Sequence, residues 1–273
     1  MEHFLLPSKI EFTPGATPHS GTVVITPCYH GYGTTLGNAL RRVLLSSLPG
    51  SAAEHFKIKG TQHEFSTVEG VQEDVLEIML NLKQLAIQVF SEEPVVLHLS
   101  KKGPGIVTAA DIEPNAQAQV VNTDTVIATL TSNKTLDMEI TVGKGRGYRP
   151  VEEKDKKNYD LGTVLLDSVY TPVRDVGYKV EYTRVGDITN YEKLILSIET
   201  NGTISPEEAL RQSTEILINH FNIVLNEIKS MPAEVPAMEA SVEPAVTAES
   251  DEAEAAGDDE TEKKPKPKKA KKK

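Results

Sequence analysis

The sequence runs to 273 residues, 38% of them apolar and 5% aromatic, with no tryptophan and a formal charge of −11 from 29 Lys and Arg against 40 Asp and Glu. That length implies one or two domains with a core that needs no staples, and the acidic balance excludes a whole-chain basic footprint for nucleic acid. The lone cysteine, Cys28, excludes an internal disulfide framework and a Cys-rich zinc site. No run approaches the ~18 apolar residues of a membrane span, and the amino terminus lacks a basic stretch followed by an apolar one. A soluble, cytoplasmic protein is expected.

In chain order, residues 22–26 (TVVIT) read as a strand rich in β-branched residues. Residues 33–48 read as a helix stopped by Pro49-Gly50. Residues 55–59 and 62–66 look like the two strands of a hairpin around Gly60, and 73–82 like a second helix. Strands are expected at 85–90, 95–100, 126–130 and 138–142. The polar run 142–160 (VGKGRGYRPVEEKDKKNYD) reads as a long loop, either functional or mobile. Strands resume at 177–183 and 193–199, and a last helix spans about 206–230. No internal repeat and no regular βαβ rhythm are present, so the fold class is α+β. From Ala233 onward there is no Leu, Ile, Phe or Tyr. Residues 249–262 carry eight acids and residues 263–273 eight lysines, a composition that implies a disordered tail.

Two helices carry the most information. At 100° per residue, Leu36, Ala39, Leu40, Val43, Leu44 and Ser47 share one broad face of the first. Asn38, Arg41, Arg42 and Leu45 fall on the opposite side. That outward set reads either as a solvated face with one stray leucine or as a partner-binding face, where Arg is enriched. The last helix has Ser205 as N-cap, Pro206 at its first position and Glu208 at its third, a capping box. Leu210, Thr214, Leu217, Phe221, Val224 and Ile228 then recur at the 4,3 spacing of a coiled-coil seam, flanked by Ala209, Ile216 and Ile223. The seam reads as a plain core helix or as a helix with one face for a sheet and one for a second helix.

Chemical motifs are sparse. Gly31, Gly33 and Gly37 loosely match a dinucleotide loop, but the third glycine falls one residue late and no ribose-binding acid follows in a βαβ unit. The GKGRG run at 143–147 lacks the Lys-Ser/Thr ending of a phosphate loop. The seven histidines show no metal spacing, and no nucleophile elbow or carboxylate pair stands out. No cofactor is expected, and the pattern favours a scaffolding role over a catalytic one. A self-contained enzyme and a nucleic-acid adaptor acting through its lysine tail are the competing readings.

The run at 32–50 (YGTTLGNALRRVLLSSLPG) resembles the signature of the bacterial RNA polymerase alpha-subunit family. Further blocks match in family order: 69–78 with 81–83, 107–111, 145–148, and 199–203 with 206–209. The resemblance implies a dimerisation subdomain from 1–51 and 173–232, an inserted subdomain at 52–172, and the tail at 233–273. It implies a homodimer that docks the beta and then the beta-prime subunit, with omega and sigma as further neighbours in the holoenzyme. DNA would be met indirectly, through those partners; by composition the lysines at 263–273 read either as a weak, salt-dependent DNA contact or as a solubilising tail. The chain would be a non-catalytic subunit of a nucleotidyltransferase. Partner contact is assigned to Asn38, Arg41, Arg42, Leu45, Lys83 and Arg146. The dimer interface is assigned to Leu36, Leu40, Leu217, Phe221 and Val224. The family's usual second, DNA-binding domain has no counterpart among the matching blocks.

Overall fold

A computed structural model describes residues 5–154 and 159–230. The elements are β1 (Lys9–Pro14), β2 (Ser20–Cys28), α1 (Tyr32–Ser46), β3 (Pro49–Ile58), α2 (Val75–Leu82), β4 (Ile87–Val89), β5 (Val95–Lys102), β6 (Gly105–Thr108), β7 (Ala118–Val120), β8 (Val126–Leu130), β9 (Thr135–Arg146), β10 (Tyr148–Arg149), β11 (Thr163–Leu165), β12 (Ser168–Val169), β13 (Val173–Val185), β14 (Ile188–Thr200) and α3 (Pro206–Ser230). Every strand pair is antiparallel. Helices lying on antiparallel sheets make the chain α+β.

Two hydrophobic cores organise the described residues. The first sheet has the order β1-β2-β14-β13. Val23 and Ile25 of β2 with Leu194, Leu196 and Ile198 of β14 face Leu40, Leu44 and Leu48 from α1 and its end, and Ala209 of α3. Their alternation along each strand is the period-2 pattern of a half-buried sheet. The second sheet has the order β11-β3-β9-β5. Phe56, Leu97, Leu99, Met138 and Ile140 from its inner face pack against Val75, Ile78 and Leu82 of α2 and against the small β4-β7 and β6-β8 ribbons. The second core draws only on residues from Ala53 to Leu166, and the first draws on both flanks of that stretch.

Several expectations change. Residues 62–66 form no strand, so the hairpin around Gly60 does not exist; β3 pairs instead with β9 and β11. Long-range pairing outweighs a local hairpin there because only it places Phe56 and Ile58 in the core. Pro49-Gly50 ends α1 as read, but it also opens β3. The stretch 142–160 is less of a loop than its polarity suggests: β9 continues to Arg146 and β10 follows directly. The tail at 233–273, with its expected disorder, lies outside the described residues.

Candidate assembly surfaces

α1 has no N-cap of its own. The preceding residue, Gly31, is left-handed at φ 83° and carries no side chain. The cap comes from β14: the Glu192 carboxylate accepts the Gly31 N–H and the Gly33 N–H, both at 2.9 Å. Glu192 is buried, with His30 Nδ1 at 3.4 Å from its Oε1. Beside it β2 holds one extra residue against β14, between the pairs Glu192–Cys28 and Leu194–Ile25. Pro27, which has no N–H for the ladder, lies within that bulge. Bulges re-aim side chains, and this one stands where Glu192 leaves the ladder for α1. A carboxylate on two amides at a helix start satisfies two orphan donors and opposes the helix dipole.

The glycines of α1 have a packing role rather than a nucleotide-binding one. A Cβ at Gly37 would meet Tyr178 Cδ2 at 2.7 Å and Leu194 Cδ1 at 2.9 Å, and one at Gly33 would meet Glu192 Oε2 at 2.8 Å. The helix therefore rests directly on β13 and β14. Asn38, Arg41 and Arg42 are exposed, and neither arginine has an ion pair among the described residues. Leu45 is not outward: it is half-buried against the first core, and its carbonyl accepts the Thr171 hydroxyl at 2.9 Å. The segment entering β13 covers the end of the helix, so more of its circumference is buried than a single stripe. Leu36 is half-buried, and Leu40, at 6% exposed, belongs to the chain's own core. Leu40 is therefore withdrawn from the dimer surface, because it has no area left to give.

The GKGRG run lies against the end of α1. A Cβ on Gly145 would strike the Tyr170 ring at 2.8 Å, and Gly147 turns at φ 65°, where an added Cβ would lie 3.3 Å from the Ser46 carbonyl oxygen. Arg146 is exposed. Lys83 is half-buried and its ammonium holds Asp167 Oδ2 at 2.7 Å, while Asp167 Oδ1 accepts the Val151 N–H at 2.9 Å. These bonds keep the Asp167 carboxyl below its ordinary value. Beneath them lies a residue that the sequence reading passed over. Lys154 is buried, and its Nζ donates to the Glu54 carbonyl (2.9 Å), the Leu166 carbonyl (2.5 Å) and Ser168 Oγ (2.8 Å). Burial pushes its pKa down. Tyr170 donates to Glu54 Oε1 at 2.6 Å, and burial with that carboxylate raises its phenol to about 12. Nothing in a polar run of lysines marks which one turns inward.

α3 takes one half of its expected capping box, with the Glu208 N–H on Ser205 Oγ at 3.2 Å. The Glu208 carboxylate engages Arg211 and Gln212. Ala209, Ser213, Ile216 and Leu217 lie on or against the first core. From Ile218 on the helix leaves that core, and every residue from there to Lys229 is exposed, including Phe221 at 66% and Val224 at 56%. Ile218, Leu225 and Ile228 are exposed beside them, so at 100° per residue one apolar stripe continues along the free half. Among the described residues no group of three or more His, Cys, Asp or Glu could hold a metal, and no helix is long and apolar enough to cross a membrane.

The comparisons with known proteins bear on this arrangement. Residues 56–171 match the family model described as the RNA polymerase Rpb3/RpoA insert domain. The DNA-directed RNA polymerase subunit alpha of Clostridium botulinum strain Hall is 50% identical over 218 residues, covering 80% of this chain and 69% of that relative. The protein of the same name from strain Langeland gives the same figures, and that from strain Eklund 17B is 50% identical over 206 residues, 76% of this chain and 65% of the relative. Identity at this level over four fifths of the sequence leaves one assignment: the chain belongs to the bacterial DNA-directed RNA polymerase alpha-subunit family.

Proposed function

We propose that this alpha subunit forms a homodimer through the free half of α3, and that the pair is the platform on which the beta and beta-prime subunits assemble. The observation that carries the reading is the exposed apolar stripe of Ile218, Phe221, Val224, Leu225 and Ile228. Each such side chain gains ~1.5–3 kcal/mol when fully buried. A two-fold interface lets one stripe cover its own copy, with half-buried Leu36 and Leu217 at its near end. In this reading residues 1–51 and 173–232 form the dimerisation part and residues 52–172 the insert.

Asn38, Arg41 and Arg42 present the docking face to a large subunit. Arg146 extends it, and Lys83 contributes through its pair with Asp167. Nucleotide chemistry then belongs to the partner chains, omega and sigma complete the assembly, and the chain itself carries no catalytic residue. DNA is met through those partners, with the lysines at 263–273 adding a salt-sensitive contact. Deleting 263–273 should then weaken DNA binding of the assembled enzyme at low salt. Dimerisation is tested by Phe221→Glu, which would bury an unpaired charge in an apolar interface. Sedimentation should show dimers for the unaltered chain and monomers for the variant at micromolar concentration; a dimeric variant would remove α3 from the interface.

A further inference from the structure

We infer that Glu192 is a positioning residue for subunit docking: from β14 it sets where α1 begins, and so where Arg41 and Arg42 stand. The inference rests on the reading of α1's outer face as a docking surface. Three observations carry it. The first is that the start of α1 has no local cap, since Gly31 offers no side chain. The second is that the two amides at that start are taken by one buried carboxylate more than 150 residues away in sequence. The third is that Gly33 and Gly37 leave no side chain between the helix and β13-β14, so the carboxylate and the sheet together fix the helix position. Arg41 and Arg42 lie two to three turns along the same rigid helix. A change in tilt at the cap is therefore delivered to them with little loss.

Replacement by Gln keeps the volume but leaves a single acceptor oxygen, because the amide nitrogen only donates. Either the Gly31 or the Gly33 N–H then loses its acceptor: the Gly33 donor is buried and costly to orphan, while Gly31 is exposed and turns to water, which frees the first turn to tilt. The experiment measures capture of the organism's own beta subunit by the purified full-length chain, alongside sedimentation and thermal melting. Glu192→Gln should remain dimeric, exchange its Gly31 and Gly33 amide hydrogens faster, and bind beta about tenfold more weakly. Gly33→Ala disturbs the same cap from the helix side, since its Cβ would lie 2.8 Å from Glu192 Oε2, and should act in the same direction; it also serves if the Gln variant fails to fold. Ile198→Val is the control. It removes a buried methyl from the same strand, six residues away, and should lower the melting temperature without weakening capture.

If Glu192→Gln and Gly33→Ala capture beta as well as the unaltered chain while Arg42→Ala does not, the inference is overturned and the docking face stands. Loss of capture by Ile198→Val in proportion to its melting temperature would likewise overturn it, by reducing Glu192 to a stability role. Undiminished capture by Arg42→Ala would remove the docking face and the inference with it.

Discussion

Among the described residues no carboxylate bonds the buried Lys154 ammonium directly, and three neutral oxygens hold it. Lys154→Met keeps the stem volume but strips the donor from those oxygens, and should cost about 2 kcal/mol in urea unfolding. The pH dependence has a definite sign. The folded pKa lies below the unfolded value of 10.5, so in that window the unfolded chain binds more protons and stability rises with pH. The deficit of Lys154→Met relative to the unaltered chain should therefore widen as the pH is raised toward 10.5. A narrowing gap would mean that the ammonium is not desolvated. Arg42→Ala, at an exposed site away from both cores, should leave melting and dimerisation unchanged and weaken capture of beta about tenfold or more. Loss of the dimer instead would place Arg42 at the two-fold axis.

At the scale of elements, α1 depends on absent side chains. Gly37→Val would drive a branched side chain into Tyr178 and Leu194, and should cost about 2 kcal/mol, read as a lower melting temperature. The spacing of Leu36, Leu40 and Leu44 made this helix legible in the sequence, and Ser205-Pro206 did the same for α3. Leu45 was misplaced because a helical wheel records angle but not what else folds over the helix; Thr171, 126 residues on, supplies that cover. The hairpin expected at Gly60 failed for a related reason. The true partner of β3 lies about 80 residues away in β9, and alternation alone cannot distinguish a near partner from a far one. Glu192 and Lys154 were invisible because each acts only after long-range pairing has brought it to its acceptors or donors.

For the whole molecule, a stripe that is exposed in one chain and covered in two makes stability depend on concentration. The melting temperature should rise as the protein is concentrated from the nanomolar to the micromolar range, and Phe221→Glu should abolish that dependence. The topology has a separate consequence. Pro172 Cδ lies 3.2 Å from where a Cβ on Gly50 would be, and the neighbouring Tyr170 carbonyl oxygen would be only 1.8 Å from it. The polypeptide thus departs for the second sheet and comes home through the same doorway, and only a residue without a side chain can stand there. A short bridge laid across that doorway would leave β1, β2, β13, β14 and both long helices joined in their present order, so the excursion could be lengthened, shortened or exchanged over evolutionary time without disturbing the first sheet and the helices on it.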